Sequence, residues 1–92
     1  MLLNESEITA GLSSLPGWSK AGKAIERIYK FQDFVSAMIF VNRVAEAAEE
    51  ANHHPDIAIR YNQVTLSLWS HDSGGVTKRD LKMAAAINQI QQ

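Results

Sequence analysis

Cysteine is absent from this chain, and long hydrophobic runs are missing as well. A disulfide-stapled fold and any metal site built on thiolates are therefore excluded, because both need cysteine sulfur. The first residues, Met1 to Glu5, include neither a basic start nor an extended apolar segment. We therefore predict neither a secretion signal nor a membrane span, and we expect a cytoplasmic protein.

Neither sign of charge dominates the sequence. Nine lysines and arginines stand against ten aspartates and glutamates, which leaves a formal charge of -1 without a long run of one sign. Proteins that bind nucleic acid neutralise phosphates with clustered positive charge. The composition therefore argues against direct binding of nucleic acid.

The chain is short, with 92 residues of which 46% are hydrophobic. This length fits one domain, residues 1–92, around one core. A chain of this size buries only somewhat more than about 60% of its unfolded surface, so association with a second copy would add stability. We therefore expect a single domain that forms a homo-oligomer.

The first third of the sequence predicts a helix and two strands. Asn4 and Glu7 have the spacing of a capping box, and the helix that follows stops at Pro16-Gly17. The segments 18–20 and 24–31 are predicted strands separated by a glycine-containing turn, although the alternation in the second is mixed.

A long helix capped by Asp33 is the clearest element of the sequence. It should end near residues 52–54, because Pro55 removes a hydrogen-bond donor and favours extended geometry in His54. Its predicted buried face, at spacings of three and four residues, consists of Phe34, Ala37, Met38, Val41, Ala45 and Ala48.

The last third predicts a hairpin and a final helix. Residues 57–61 and 64–69 alternate as strands do, with a turn at Asn62-Gln63. A flexible loop at residues 73–75 precedes a helix that Thr77 and Asp80 cap with capping-box spacing. The order helix, two strands, helix, two strands, helix predicts an α+β fold with a four-stranded antiparallel sheet covered by helices.

All three histidines fall between residues 53 and 71, and this clustering indicates a site for acid-base chemistry. Glu49 lies four residues before His53, so on a helix its carboxylate would meet and orient that imidazole. The alternative is a solvated helix end, where a histidine interacts favourably with the helix dipole. Pro55 stiffens the exit from the helix and can direct His53 and His54 to one cavity; otherwise both rings are simply exposed.

The third histidine and its surroundings allow further interpretations. His71 follows a strand, where a scaffold commonly presents catalytic groups. Three imidazoles could also bind zinc, but no His-x3-His or His-x-His pair is present, so we expect no metal. Capping alone would explain Asp80, although it could serve the site as well, and Trp18 and Trp69 could either stack on a flat ligand or belong to the core.

The spacing of these residues resembles that of the pterin-4a-carbinolamine dehydratases. The pattern is an acid, three residues, His-His-Pro, five residues, an aromatic, nine residues, His, eight residues and Asp, here Glu49, His53-His54-Pro55, Tyr61, His71 and Asp80. The similarity extends over essentially the whole chain, from Trp18 through Phe31-Gln32-Asp33-Phe34 to the final helix. A small departure, Trp69-Ser70 before the third histidine, touches no position of the pattern.

The resemblance implies an α+β fold with helices on one face of the sheet, assembled as a homodimer or homotetramer. It implies dehydration of 4a-hydroxytetrahydropterin to quinonoid dihydropterin, with the pterin as substrate and no separate cofactor. His53, His54 and His71 would form the catalytic site. By the same resemblance, Glu49 would orient His53, Asp80 would act near His71, and Trp18 would line the ring pocket.

Two other roles occur among proteins that resemble this chain. One is a dimerisation cofactor of a homeodomain transcription factor, which uses a helix face for protein contact. Another is a relative that assists assembly of a carbon-fixing enzyme, for which degraded site residues would be expected. The intact acid, histidine and aspartate positions favour catalysis here, with a protein partner as an additional role.

Overall fold

The computed structural model describes residues 1–90 and contains three helices and four strands. In chain order these are α1 (Glu5–Leu12), β1 (Ser19–Ala21), β2 (Ala24–Lys30), α2 (Phe34–Ala51), β3 (Asp56–Arg60), β4 (Gln63–Leu68) and α3 (Lys78–Asn88). The strands form one antiparallel sheet in the order β1-β2-β4-β3. The predicted α+β class and element order are therefore confirmed. Among the helices of the described residues, none is long and apolar enough to cross a membrane.

The predicted starts of all three helices are confirmed. Asn4 and Glu7 form a reciprocal capping box with distances of 2.8 and 2.9 Å between side-chain oxygens and backbone nitrogens. Asp33 accepts the backbone N–H of Ser36 at 2.8 Å, and Thr77 and Asp80 form the second capping box. Each side chain satisfies a backbone donor that the first turn of a helix leaves free.

The buried face of α2 differs from the predicted one. Phe34 is 49% exposed and Ala45 is also exposed, whereas Phe40 and Val44 are buried at 1% and 0%. The predicted apolar stripe is therefore rotated about the helix axis, although Ala37, Val41 and Ala48 are buried as expected. Periodicity did not select the face because α2 is apolar on more than one side. Packing against the sheet selects the buried face, because the centroid of the Phe40 ring lies 4.5 Å from that of Tyr29 on β2.

The hairpin turn lies one residue earlier than predicted. Arg60 pairs with Gln63, so Tyr61 and Asn62 form the turn. Tyr61 adopts a left-handed φ of 53°, a conformation uncommon for a bulky residue. The Asn62 side-chain amide donates to the carbonyl of Phe31 at 2.8 Å, which attaches the turn to the end of β2.

The core lies between the helices and one face of the sheet. On β4 the inward side chains of Val64, Leu66 and Leu68 are fully buried and alternate with half-buried residues. The alternation continues past the strand to Ser70, which is 1% exposed. A buried hydroxyl therefore stands at the end of the central strand, next to the residues that form the site.

Candidate active site

Three chain segments that are distant in sequence meet around one open pocket of about 290 Å³. They are the exit of α2, the residues that follow β4, and the first turn of α3. The pocket is lined by Asn52, His53, His54, Trp69, Ser70, His71, Asp72 and Arg79. The structure thus brings all three histidines together.

The exit of α2 separates the two neighbouring histidines. Asn52 ends the helix in the left-handed conformation, with φ 51° and ψ 42°, which asparagine tolerates better than most residues. The backbone N–H of His53 then donates to the carbonyl of Ala48 at 3.1 Å, which closes the helix end. The side chain of His53 is only 14% exposed, whereas that of His54 is 56% exposed.

A buried carboxylate holds His53. The Oδ1 of Asp80 lies 2.6 Å from Nε2 of His53, and Asp80 itself is fully buried. The other oxygen, Oδ2, accepts the Ser70 hydroxyl at 2.9 Å and the backbone N–H of Thr77 at 2.8 Å. The two hydroxyls of Ser70 and Thr77 also bond to each other at 2.7 Å. We expected Asp80 beside His71; its carboxylate instead contacts His53.

An exposed carboxylate holds His54. The Oε2 of Glu49 lies 2.5 Å from Nε2 of His54, and the Glu49 side chain is 78% exposed. The predicted pairing of Glu49 with His53 is wrong, because it assumed that the helix continues through His53. The left-handed residue at position 52 ends the helical spacing and turns His53 towards Asp80 instead.

A hydrogen-bonded turn presents His71. The carbonyl of Ser70 accepts the N–H groups of Ser73, Gly74 and Gly75, and the Ser70 N–H donates to the carbonyl of Gly75 at 2.8 Å. Gly74 has a φ of 79°, which suits glycine because it has no Cβ. The segment predicted as a flexible loop is therefore a closed turn, and it fixes the backbone next to His71.

The rim of the pocket carries an ion pair between Asp72 and Arg79, and both side chains are largely exposed. The hydrogen bond from the Arg79 guanidinium holds the pKa of the Asp72 carboxyl below its usual value. Because Arg79 also lines the pocket, the rim presents a cation beside the histidines.

Trp18 is not part of this pocket in the structure. It is 6% exposed in the hydrophobic core, and its indole Nε1 donates to Asn88 Oδ1 at 2.8 Å. The expectation that it lines the ring pocket is not met within the chain. Pro55 follows the paired histidines but does not line the pocket.

Sequence reasoning missed four residues of the site, namely Asn52, Ser70, Asp72 and Arg79. Asparagine before His-His-Pro was a usable signal for a left-handed helix end, since asparagine is the usual alternative to glycine there. Nothing local to Ser70 indicated a contact with Asp80.

Within residues 1–90, no group of three or more His, Asp or Glu side chains is arranged to hold a metal ion.

Comparison with protein families gives one match along nearly the whole chain. The family model described as pterin 4 alpha carbinolamine dehydratase matches residues 1–90. A provisionally named pterin-4-alpha-carbinolamine dehydratase of Koribacter versatilis is 61% identical over 88 residues, covering 96% of this chain and 94% of that protein. One of Acidobacterium capsulatum, also provisionally named, is 54% identical over 88 residues and covers 96% of each chain.

Two solved structures resemble this fold. The crystal structure of a transcriptional coactivator/pterin dehydratase from Brucella melitensis superimposes with a TM-score of 0.91 at 41% identity, covering 96% of each chain. A pterin dehydratase-like protein identified as a RuBisCO assembly factor in the alpha-carboxysome gives a TM-score of 0.67 at 20% identity over 78% of this chain and 86% of that one. The second likeness shows a shared fold only.

Proposed function

The chain belongs to the pterin 4 alpha carbinolamine dehydratase family, and we propose that it is itself a hydro-lyase that converts 4a-hydroxytetrahydropterin to quinonoid dihydropterin and water. The observation that carries the proposal is the gathering of His53, His54 and His71 around one open pocket. The relatives' names support the substrate class. No separate cofactor is needed, because the pterin is the substrate, and the cytoplasm is the expected location.

The reaction matches the chemistry that these side chains offer. The C4a–oxygen bond breaks, the departing hydroxyl receives a proton and leaves as water, and N5 loses its proton as the C4a–N5 double bond forms. One group must donate a proton and another must accept one, so the reaction consumes no net proton. Histidines suit both roles near neutral pH, and such assistance typically contributes about 10²- to 10⁴-fold to a rate.

The two carboxylates give the histidines different surroundings. Asp80 holds His53 from the buried interior, whereas Glu49 holds His54 at the solvent-exposed edge. Each carboxylate restricts the rotation of an imidazole, and a restricted ring keeps its nitrogen in place for proton transfer. These contacts support a site in which at least two histidines are oriented before the pterin binds.

The test is a stopped-flow measurement of the dehydration of 4a-hydroxytetrahydropterin, with buffer alone as the reference. We expect the wild-type protein to accelerate the reaction and His54→Ala to lose most of that acceleration. Glu50→Gln is the matched control, because Glu50 is an exposed acid of the same helix end and does not line the pocket. A dehydration rate with the wild-type protein that does not exceed the rate in buffer would rule out the proposed dehydratase activity.

We also propose that the protein assembles with copies of itself. The edge strand β3 has five exposed residues, including Ile57 at 36% and Ile59 at 37% exposure, and an apolar edge of this kind favours pairing with another strand. On α2, Val35 and Ile39 are 66% and 49% exposed and lie one turn apart. Light scattering should give the mass of a dimer or tetramer, and a monomer at micromolar concentration would contradict this.

A protein partner is a second candidate role. The solved structure from Brucella melitensis carries the name of a coactivator as well as of a dehydratase, and the exposed apolar residues of α2 supply a surface for protein contact. Val35→Lys combined with Ile39→Lys separates this role from self-association. Loss of oligomer mass in that variant would assign the surface to self-association, whereas unchanged mass would leave it available to another protein.

A further inference from the structure

His71 differs from the other two histidines in how its ring is held. Asp80 contacts His53 and Glu49 contacts His54, but His71 makes no side-chain hydrogen bond or ion pair within the described part of the chain. It is also exposed to solvent. The ring of Trp69 is stacked on the imidazole, with centroids 3.9 Å apart and planes inclined by 26°.

The stack follows from the geometry of the chain after β4. Neighbouring residues on an extended chain point to opposite sides, so Trp69 points away from the buried side that Ser70 faces, and the turn that follows Ser70 brings the His71 ring onto the indole. Ser70 anchors the backbone between the two rings, because its hydroxyl donates a hydrogen bond to the buried carboxylate of Asp80. The indole is restrained as well, since the ammonium of Lys23 lies 4.1 Å from its ring centroid. The imidazole therefore stacks on a surface that is itself held in place.

We propose that Trp69 is a positioning residue for His71. This inference rests on the proposed dehydratase function and extends it to a residue outside the histidine and carboxylate pattern. An exposed imidazole without a partner samples several rotamers, and only some of them face the pocket. Stacking of aromatic rings favours the stacked rotamer by about two- to twelvefold, so the indole does for His71 what carboxylates do for the other two histidines.

Two substitutions at position 69 separate ring stacking from filling of space. Trp69→Leu removes the aromatic surface, whereas Trp69→Phe is the matched control that keeps a smaller one. We expect kcat for dehydration to fall about three- to tenfold in Trp69→Leu with KM nearly unchanged, and Trp69→Phe to recover most of the loss. In a His71→Gln background, Trp69→Leu should cause no further loss, because the ring that it positions is already absent.

Other kinetic results would overturn the inference. A higher KM with unchanged kcat would mean that Trp69 binds the substrate instead of positioning His71. An equal loss in Trp69→Leu and Trp69→Phe, or a full loss from Trp69→Leu in the His71→Gln background, would mean that the indole acts independently of the imidazole.

Nuclear magnetic resonance tests the stack without any turnover. The indole should shield the ring protons of His71 and move their resonances upfield in the wild type, and Trp69→Leu should remove that shift; His71→Gln identifies the resonance. A resonance that Trp69→Leu does not move would show that the rings are not stacked in solution. That result would overturn this inference but not the proposed dehydratase function. A shielded resonance in a protein that does not dehydrate the pterin would instead overturn the proposed function, and with it the catalytic role of the stack.

Discussion

Asp80 and His53 lie 27 residues apart in the sequence, yet Oδ1 of the aspartate is 2.6 Å from Nε2 of the histidine. The same carboxylate accepts the N–H of Thr77 through Oδ2 and thereby caps α3. One fully buried group thus stabilises the start of a helix and holds a histidine of the pocket. The stability of the fold and the geometry of the site therefore depend on a common residue.

Removal of this carboxylate should cost more stability than removal of an ordinary helix cap. We expect Asp80→Ala to lower the free energy of unfolding by about 2 to 4 kcal/mol, because it removes a cap and leaves buried donors without a partner. Glu7→Ala is the control, since Glu7 occupies the corresponding position in the exposed capping box of α1. That variant should lose at most about 1 kcal/mol in urea unfolding at pH 7. Equal losses would show that burial of Asp80 adds nothing to its role as a cap.

Two histidines of the pocket should affect activity alike but stability differently. We expect His53→Ala and His71→Ala each to slow dehydration at least about tenfold, because proton transfer typically contributes that much or more. Only His53→Ala should also lower the free energy of unfolding, by about 1 to 3 kcal/mol, since it leaves the buried Asp80 oxygen without its partner. Urea unfolding and stopped-flow rates on the same preparations give both quantities. Unchanged rates in both variants would remove these histidines from the mechanism.

The contact between Glu49 and His54 should matter for activity and hardly for stability. Both side chains are more than half exposed, and exposed ion pairs contribute about 0 to 1 kcal/mol. We expect Glu49→Gln to lower the dehydration rate about two- to tenfold, while the urea midpoint stays within experimental error. Glu50→Gln, one residue further along the helix, should change neither quantity. The prediction fails if the two variants behave alike.

The cap of α2 should make part of the stability dependent on pH. The pKa of the Asp33 carboxyl lies below its usual value, mainly because the carboxylate accepts the backbone N–H of Ser36. A carboxyl whose pKa is lower in the folded state stabilises the fold at pH values above its unfolded pKa, about 3.9, and this contribution is lost as the pH falls through the folded value.

Asp33→Asn tests this dependence, because asparagine also caps helices but carries no charge. The wild type should unfold at a higher temperature than the variant at pH 7, and the difference should shrink as the pH is lowered below about 4. Thermal unfolding monitored by circular dichroism from pH 7 to the acid limit measures it. A difference that is constant across this range would mean that the charge of Asp33 does not contribute.

Several features of the fold were predictable because their causes are local. The capping boxes of α1 and α3 depend on residues three apart, and the order of helices and strands follows from periodicity and from Pro55. The face that α2 buries was not predictable in the same way. More than one apolar stripe satisfied the helical spacing, and the sheet selected the stripe that includes Phe40.

By itself, the sequence determined the three histidines that line the pocket, and it indicated two carboxylates and a proline-stiffened chain exit close to them. Only the tertiary structure decided how they are paired. The left-handed Asn52 breaks the helical spacing that would have joined Glu49 to His53, and packing of α3 brings Asp80 to His53 instead. The physical reason is the range of the interactions, since contacts within a turn are encoded by neighbouring residues, whereas contacts between elements depend on how the whole core packs.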